Sequence, residues 1–253
     1  MKKITALILL AALLLSLAAC GNNQPAADGA ESTSAPETSD APVSEPPEGT
    51  PAETDEPDAE TPEQGGESEA PSEPVLGVYY ADSNTYENEL LGLGCRLEED
   101  WRVYSADEMA QLNGMMADMM TDEAIAEQLE SSGYVQAFYA QLGEDPVTVN
   151  ITVENLGLLY GTLLDERQYA ELSIDQLPSV LESIGLEDLT TEITTTTFLG
   201  SEHTAINVHG QIQGLDFYET LVCVKVNRYM ACVTAASYLA DVTGDVLDMF
   251  YAL

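Results

Sequence analysis

The residues in this 253-residue sequence that could do chemistry are two histidines, four cysteines, eight methionines and a dense population of carboxylates. His203 and His209 fall six positions apart on an expected strand. They share a face but stand roughly 20 Å apart at about 3.3 Å per residue, so one metal ion cannot bind both. Neither has the spacing of a zinc site. No serine lies in a Gly-x-Ser-x-Gly elbow. Acidic pairs occur throughout, so none is diagnostic of glycoside hydrolysis, which needs two carboxyls across a cleft. The Asp and Glu spacing does not follow a calcium loop. Gly92-Leu93-Gly94 lacks the rest of a nucleotide-binding loop. No catalytic residue, metal site or cofactor is expected, and the chain reads as a non-enzyme.

The sulfur-bearing residues say more. If Asn227 and Arg228 form a two-residue hairpin loop, Cys223 and Cys232 stand directly opposite each other at a non-hydrogen-bonded site. Their Cα atoms would be about 4.5 Å apart, at the short end of the range a disulfide spans. Two readings stay open: a cross-strand disulfide, or two small buried thiols. Cys95 is expected to be a buried thiol. Met115, Met116, Met119 and Met120 recur at helical spacing. Four thioethers could hold cuprous copper, but no His or Cys joins them in sequence, so an adaptable core or contact face is the expected role.

The elements that must position these residues lie between Val75 and Leu253. Val78-Tyr79-Tyr80 reads as a first strand or its lead-in. Gly92 and Gly94 punctuate two short extended pieces that suggest a tight hairpin. Trp101 is expected to close one end of the core. Ser105-Ala-Asp-Glu108 is a capping box, so a helix starts at Ala106 and runs through Leu112 towards Met120, with a break near Gly114. A second helix follows Thr121-Asp122-Glu123 and ends near Gly133. Tyr134 to Gln141 is a strand. From Val147 to Glu154, apolar and polar residues alternate with a period of two, which implies one buried and one more polar face. Asn150-Ile-Thr152 matches a glycosylation acceptor but sits inside that strand. Asp165 to Gly185 reads as helical, with Ile174, Leu177, Leu181 and Ile184 on one stripe and a second capping box at Ser173-Ile-Asp-Gln176, so the strongest part starts at Ile174 and Asp165 to Leu172 is either a separate turn or an N-terminal extension. Four strands then form an antiparallel meander: Leu189 to Leu199, His203 to Ile212, Leu215 to Val226 and Tyr229 to Ser237. A helix from Asp241 to Leu253 is expected to close the chain.

Composition changes abruptly at Val75. All twelve tyrosines, all four phenylalanines and the single tryptophan lie beyond it. Between Gly21 and Pro74 there are ten prolines and fifteen acidic residues, with no Lys, Arg or aromatic side chain. Such a stretch cannot bury enough apolar surface to offset its chain entropy, so residues 20–74 are expected to form a disordered, extended tether. Fully extended as polyproline, its reach is at most roughly 170 Å at about 3.1 Å per residue. The formal net charge of −38 excludes nucleic acid as a partner, since phosphate binding needs Lys and Arg. It also opposes docking on anionic lipid head groups, and it keeps an exported protein soluble.

The N-terminus carries Lys2 and Lys3, then an apolar run from Ile4 to Ala19, shorter than the roughly 20 residues needed to cross a bilayer. Charge, apolar core and small residues make residues 1–19 a secretory signal. Leu17-Ala18-Ala19-Cys20 resembles the bacterial lipoprotein lipobox. The resemblance implies cleavage before Cys20, lipidation of its sulfur, and anchoring to membrane lipid on the extracytoplasmic face. Two or three acyl chains on one residue anchor stably where a single chain would not.

The strand and helix order from Val78, with Tyr86-x-Asn88, Gly92-Leu-Gly and Trp101, resembles the PsbP-like superfamily. That resemblance implies an α+β fold, an antiparallel β-sheet flanked by helices in an α/β/α sandwich, and a non-enzymatic binding role. Members bind very different partners, so no functional residue carries over. The sequence thus points to a surface lipoprotein whose domain binds a protein or small ligand. The competing readings are an envelope-acting hydrolase using carboxylates, or a metal-binding protein.

Overall fold

The computed structural model describes residues 75–143 and 146–253. The signal segment, Cys20 and the tether lie outside the described residues. Eleven strands, six α-helices and a 3₁₀ turn are described, an α+β fold as expected.

Four short strands come first: β1 (Val78–Tyr80), β2 (Thr85–Asn88), β3 (Leu93–Arg96) and β4 (Trp101–Val103). The capping box forms as the sequence implies. Ser105 Oγ accepts from the Glu108 amide and Glu108 reaches back to the Ser105 amide, starting α1 (Ala106–Leu112). Gly114 breaks the run with a φ of 66°, and Ala117–Met119 make only a 3₁₀ turn. Thr121 caps α2 (Asp122–Ser132), and Gly133 ends it in the left-handed region. Next come β5 (Tyr134–Leu142) and β6 (Val147–Asn155).

The segment after β6 departs from the sequence reading. It holds α3 (Gly157–Leu163), α4 (Glu166–Ile174) and α5 (Leu177–Ser183). The expected Asp165–Gly185 helix is two helices. The capping box sits at Asp165 and Gln168 rather than at Ser173. Ser173 is buried inside α4, where its hydroxyl bonds back to the Tyr169 carbonyl. Asp165→Ala should therefore cost about 1 kcal/mol of stability, the usual value of an N-cap, while Ser173→Ala should cost less. Urea titration of the two variants compares them directly.

The meander forms as expected, as β7 (Leu186–Phe198), β8 (Ser201–Ile212), β9 (Leu215–Val226) and β10 (Tyr229–Tyr238). At Leu199-Gly200 and Gln213-Gly214 both loop residues take positive φ, the conformation that matches the twist of paired strands. The chain end is not one helix. A short α6 (Thr243–Leu247) gives way to β11 (Phe250–Ala252), which pairs with β3 through Phe250↔Cys95. The edge of β3 offers unpaired backbone groups, and satisfying them outweighs continuing the helix. Leu253, expected on the buried side, is exposed.

The strands form a four-stranded sheet, β1-β2-β3-β11, and a seven-stranded sheet, β4-β5-β6-β10-β9-β8-β7. Residues alternate between two cores on opposite faces of the larger sheet. One core joins Val149, Val153, Val222 and Val233 to the small sheet, to Ile125 and Leu129 of α2, and to Val246 of α6. The other joins Ile206, Leu221, Cys223 and Cys232 to Tyr169 of α4 and Leu177 and Leu181 of α5. One face is thus covered by helices, and the other by a second sheet together with helices. No described helix is long and apolar enough to cross a membrane.

Candidate functional site

The polar parity of β6 leads to the most unusual surroundings in the domain. Thr148, Asn150, Thr152 and Glu154 alternate with the valines, and the sequence makes them the more polar face. The structure buries all four. Some of this polarity is satisfied. Thr152 donates to Gln136 Oε1, and Gln136 Nε2 reaches the Phe138 and Ile151 carbonyls and Asn150 Oδ1. Glu154 accepts from the Tyr169 hydroxyl at 2.8 Å. Burial pushes the Glu154 carboxyl up to about 7, and the Tyr169 bond offsets part of that rise.

A second carboxyl lies on the same face. Glu219 falls in β9 on the parity of Phe217 and Leu221, and only 2% of it is exposed. Neither of its oxygens has a hydrogen-bond partner among the described residues. Burial alone pushes this carboxyl up to about 8. Thr148 Oγ1, Asn150 Nδ2 and Thr234 Oγ1 are likewise buried and unpartnered. Burial pushes the Tyr139 hydroxyl up, and the neighbouring Thr148 hydroxyl opposes that rise, although Thr148 Oγ1 makes no hydrogen bond of standard geometry. The sequence signal for Glu219 was its position: a charged residue on the apolar parity of a strand reading Leu-Asp-Phe-Tyr-Glu-Thr-Leu.

Glu154 and Glu219 do not form a catalytic pair. Their registers on β10, Met230 and Ala236, are six residues apart, which is roughly 20 Å along the strand. Carboxyls that share glycosidase work stand about 5 to 9.5 Å apart. His203 pairs with Glu166 at 2.9 Å, and the same carboxylate accepts from the Thr204 and Lys225 amides. Glu166 thereby fixes α4 to β8 and β9, and His203 belongs to that clamp. His209 stacks on Tyr218 with ring centroids 4.8 Å apart and lies 3.8 Å from Asp216. Among the described residues, no three His, Cys, Asp or Glu side chains converge on a metal position.

The two cysteines oppose each other as the hairpin register requires, Cys223↔Cys232, across the loop at Asn227 and Arg228. Both are buried free thiols here, as is Cys95, which burial pushes up to about 12. Cys232 donates to the Tyr169 hydroxyl at 3.6 Å. A hydrogen bond to Cys232, and then burial, hold the Cys223 thiol well above its usual range. Alkylation under denaturing, non-reducing conditions counts the thiols: two of the three domain cysteines blocked would mean that the pair oxidises after export, and three alkylated would mean that it does not. The methionines split. Met115 and Met120 pack against the core, whereas Met116 and Met119 are exposed, so the four thioethers do not gather.

Two surface features stand apart from these clusters. A cleft of about 560 Å³ is lined by residues that include Glu192, Asn207, His209, Tyr218, Glu219, Thr220 and Asp241. Its polar groups bond one another: Thr220 reaches Asn207, and Thr243 reaches Asp241. The other feature is α3, which the sequence reading left unassigned. Its Leu158, Leu159, Tyr160 and Leu163 are all exposed, Leu158 by 67%. The helix is held from beneath. Asn155 Oδ1 accepts from the Gly157 amide, the Leu156 amide donates to the Arg228 carbonyl, and Gly161 packs against Arg228.

No family model matches the sequence, and no curated protein matches it. Among solved structures, the chain is similar to the crystal structure of LpqN, involved in cell envelope biogenesis of Mycobacterium tuberculosis. The identity is 12% and the TM-score 0.29, over 62% of this chain and 76% of that one. A superposition that weak carries no argument about function, and the PsbP-like resemblance is not shown by these comparisons.

Proposed function

We propose that the chain is an exported lipoprotein, held at the extracytoplasmic face of the membrane through Cys20, whose domain binds a protein partner and performs no reaction. The carrying observation is α3. Four large apolar side chains exposed on a seven-residue helix form a patch of the kind that marks an interaction site. The patch is mounted rigidly, because Asn155 ties the start of the helix to the end of β6, and Leu156 and Gly161 hold it against Arg228 of the β9–β10 hairpin. A membrane is the poorer occupant. A net charge of −38 opposes approach to anionic lipid, and the tether is long enough to hold the domain well away. The distance between Glu154 and Glu219 supports the non-catalytic reading over carboxylate hydrolysis. The PsbP-like resemblance agrees with it but does not name the partner.

A photo-crosslinking residue at Leu159 in living cells tests this, with the same residue at Gln111 as control and Cys20→Ala as the unanchored form. One protein adduct at Leu159, absent at Gln111, lost with Leu163→Glu and reduced with Cys20→Ala, is the expected result. Adducts to lipid only, or none, would overturn the reading.

A further inference from the structure

The unpartnered groups around Glu219 are neighbours. Glu219 stands opposite Ala236 on β10, and Ala236 opposite Thr148 on β6. Two residues along, Thr234 stands opposite Asn150. All project to the helix-covered face. With strands about 4.8 Å apart and alternate residues about 6.7 Å apart, the four span roughly 10 by 7 Å. Ala236 lies between Glu219 and Thr148 and contributes only a methyl group. Each of the five polar atoms is buried without a partner. Such an atom destabilises the fold unless something bonds it, and a carboxyl does so most.

The inventory of these atoms specifies what would satisfy them. Two Glu219 oxygens and two threonine hydroxyls can accept. The obligate donor is Asn150 Nδ2, because Asn150 Oδ1 already accepts from Gln136 Nε2 at 3.3 Å. The complementary molecule is rich in donors and offers one acceptor. A calcium or magnesium ion needs six or more oxygens and would face the Asn150 N–H₂ group. A carboxylate without a counter-charge is the costliest member of the set, and it is relieved either by keeping its own proton or by a cation that takes the proton's place.

We propose that Glu219, Thr234, Asn150 and Thr148 form an enclosed binding site for a small organic ammonium ion that also carries a hydroxyl or carbonyl oxygen. The ammonium N–H groups go to the Glu219 carboxylate and the Thr234 hydroxyl. The oxygen, two or three bonds away, accepts from Asn150 Nδ2 beside Thr148. The excess negative charge of the chain raises the local concentration of such cations. The inference is independent of the α3 partner, and either can fail without the other.

Ethanolamine is the simplest probe, since it joins one ammonium to one hydroxyl. Thermal unfolding of the full chain is measured with ethanolamine hydrochloride, tetramethylammonium chloride, ethylene glycol and calcium chloride at matched concentrations. The expected result is a rise in Tm with ethanolamine, greater than with tetramethylammonium, which screens charge but donates no N–H. The excess should vanish in Glu219→Gln and, should that variant fold poorly, in Thr234→Val. An equal rise with tetramethylammonium would reduce the effect to screening and overturn the proposal. An equal rise with glycol would make this a neutral polyol site, and a larger one with calcium a metal site. Either would overturn it, as would no rise at all.

Discussion

Wild-type unfolding is expected to become easier as pH rises from 5 to 8, and Glu219→Gln should remove most of that slope. In the folded chain burial holds the Glu219 carboxyl up at about 8, from an ordinary 4.5. The unfolded chain releases this proton above 4.5, while the folded chain keeps it until about 8. Across that window the unfolded state binds fewer protons, so stability falls as pH rises. Below 4.5 both states are protonated and the penalty is absent; above about 8 it is complete. Each pH unit costs about 1.4 kcal/mol, so three units cost roughly 4 kcal/mol. At about 2–4 °C per kcal/mol for a domain of this size, Glu219 alone should lower Tm by roughly 10 °C. Glu154 adds a slope of the same sign and size over a shorter window that ends near 7, so Glu154→Gln should flatten only the acidic part of the curve. Calorimetry at half-unit pH steps, without added amines, separates the two. A wild-type Tm that is level from pH 5 to 8 would mean that Glu219 ionises normally and that the face is open to water.

The meander was legible because its information is local. Period-two alternation gives the strands, and Gln213-Gly214 and Asn227-Arg228 set loops of two residues, the second of which fixes the register of Cys223 against Cys232; the first turn, expected over Gly200-Ser201-Glu202, falls instead at Leu199-Gly200, with Ser201 and Glu202 already paired in the strand. The helix starts at Ser105 and Thr121 were legible for the same reason: a cap is decided by side chains three residues apart. The C-terminal strand was not. Val246, Leu247, Phe250 and Leu253 lie at helical spacing, and only the vacant edge of β3, some 150 positions earlier, turns Phe250–Ala252 into a strand. Nor was α3 legible. Its large side chains are exposed rather than gathered on a buried stripe, and its position depends on Arg228 from a distant hairpin. The polar parity of β6 was read correctly as polar and wrongly as the less buried face, because the elements that flank a sheet are not written in the strand itself. Glu219 sits between these cases. Its parity was visible, but the lack of a partner depends on which residues β6 and β10 place beside it.

Asn113→Ala should cost about 3 kcal/mol, for a reason that only the tertiary structure shows. On its outer side β5 pairs with β4 only from Ala140 to Leu142, and a bulge between Gln136 and Phe138 interrupts its ladder with β6. Asn113 follows the end of α1 and is buried. Its Oδ1 accepts from the Gln136 amide at 2.8 Å, and its Nδ2 donates to the Gln136 carbonyl at 2.9 Å and to the Met109 carbonyl at 3.0 Å. The side-chain amide thus stands in for the neighbouring strand's peptide group at one residue of β5, and ties α1 to the sheet. Alanine leaves the Gln136 N–H and C=O without a partner, at about 1–3 kcal/mol each, reduced where water can enter. Asn113→Asp keeps the acceptor but turns the donor into a second acceptor facing two carbonyls, with a charge to bury, so it should be at least as destabilising. Urea unfolding measures the loss, and hydrogen exchange localises it: the Gln136 amide should lose protection in Asn113→Ala while Val149 and Ile151 keep theirs relative to the new global stability. A loss under 1 kcal/mol with Gln136 still protected would show that β5 holds its free edge without Asn113.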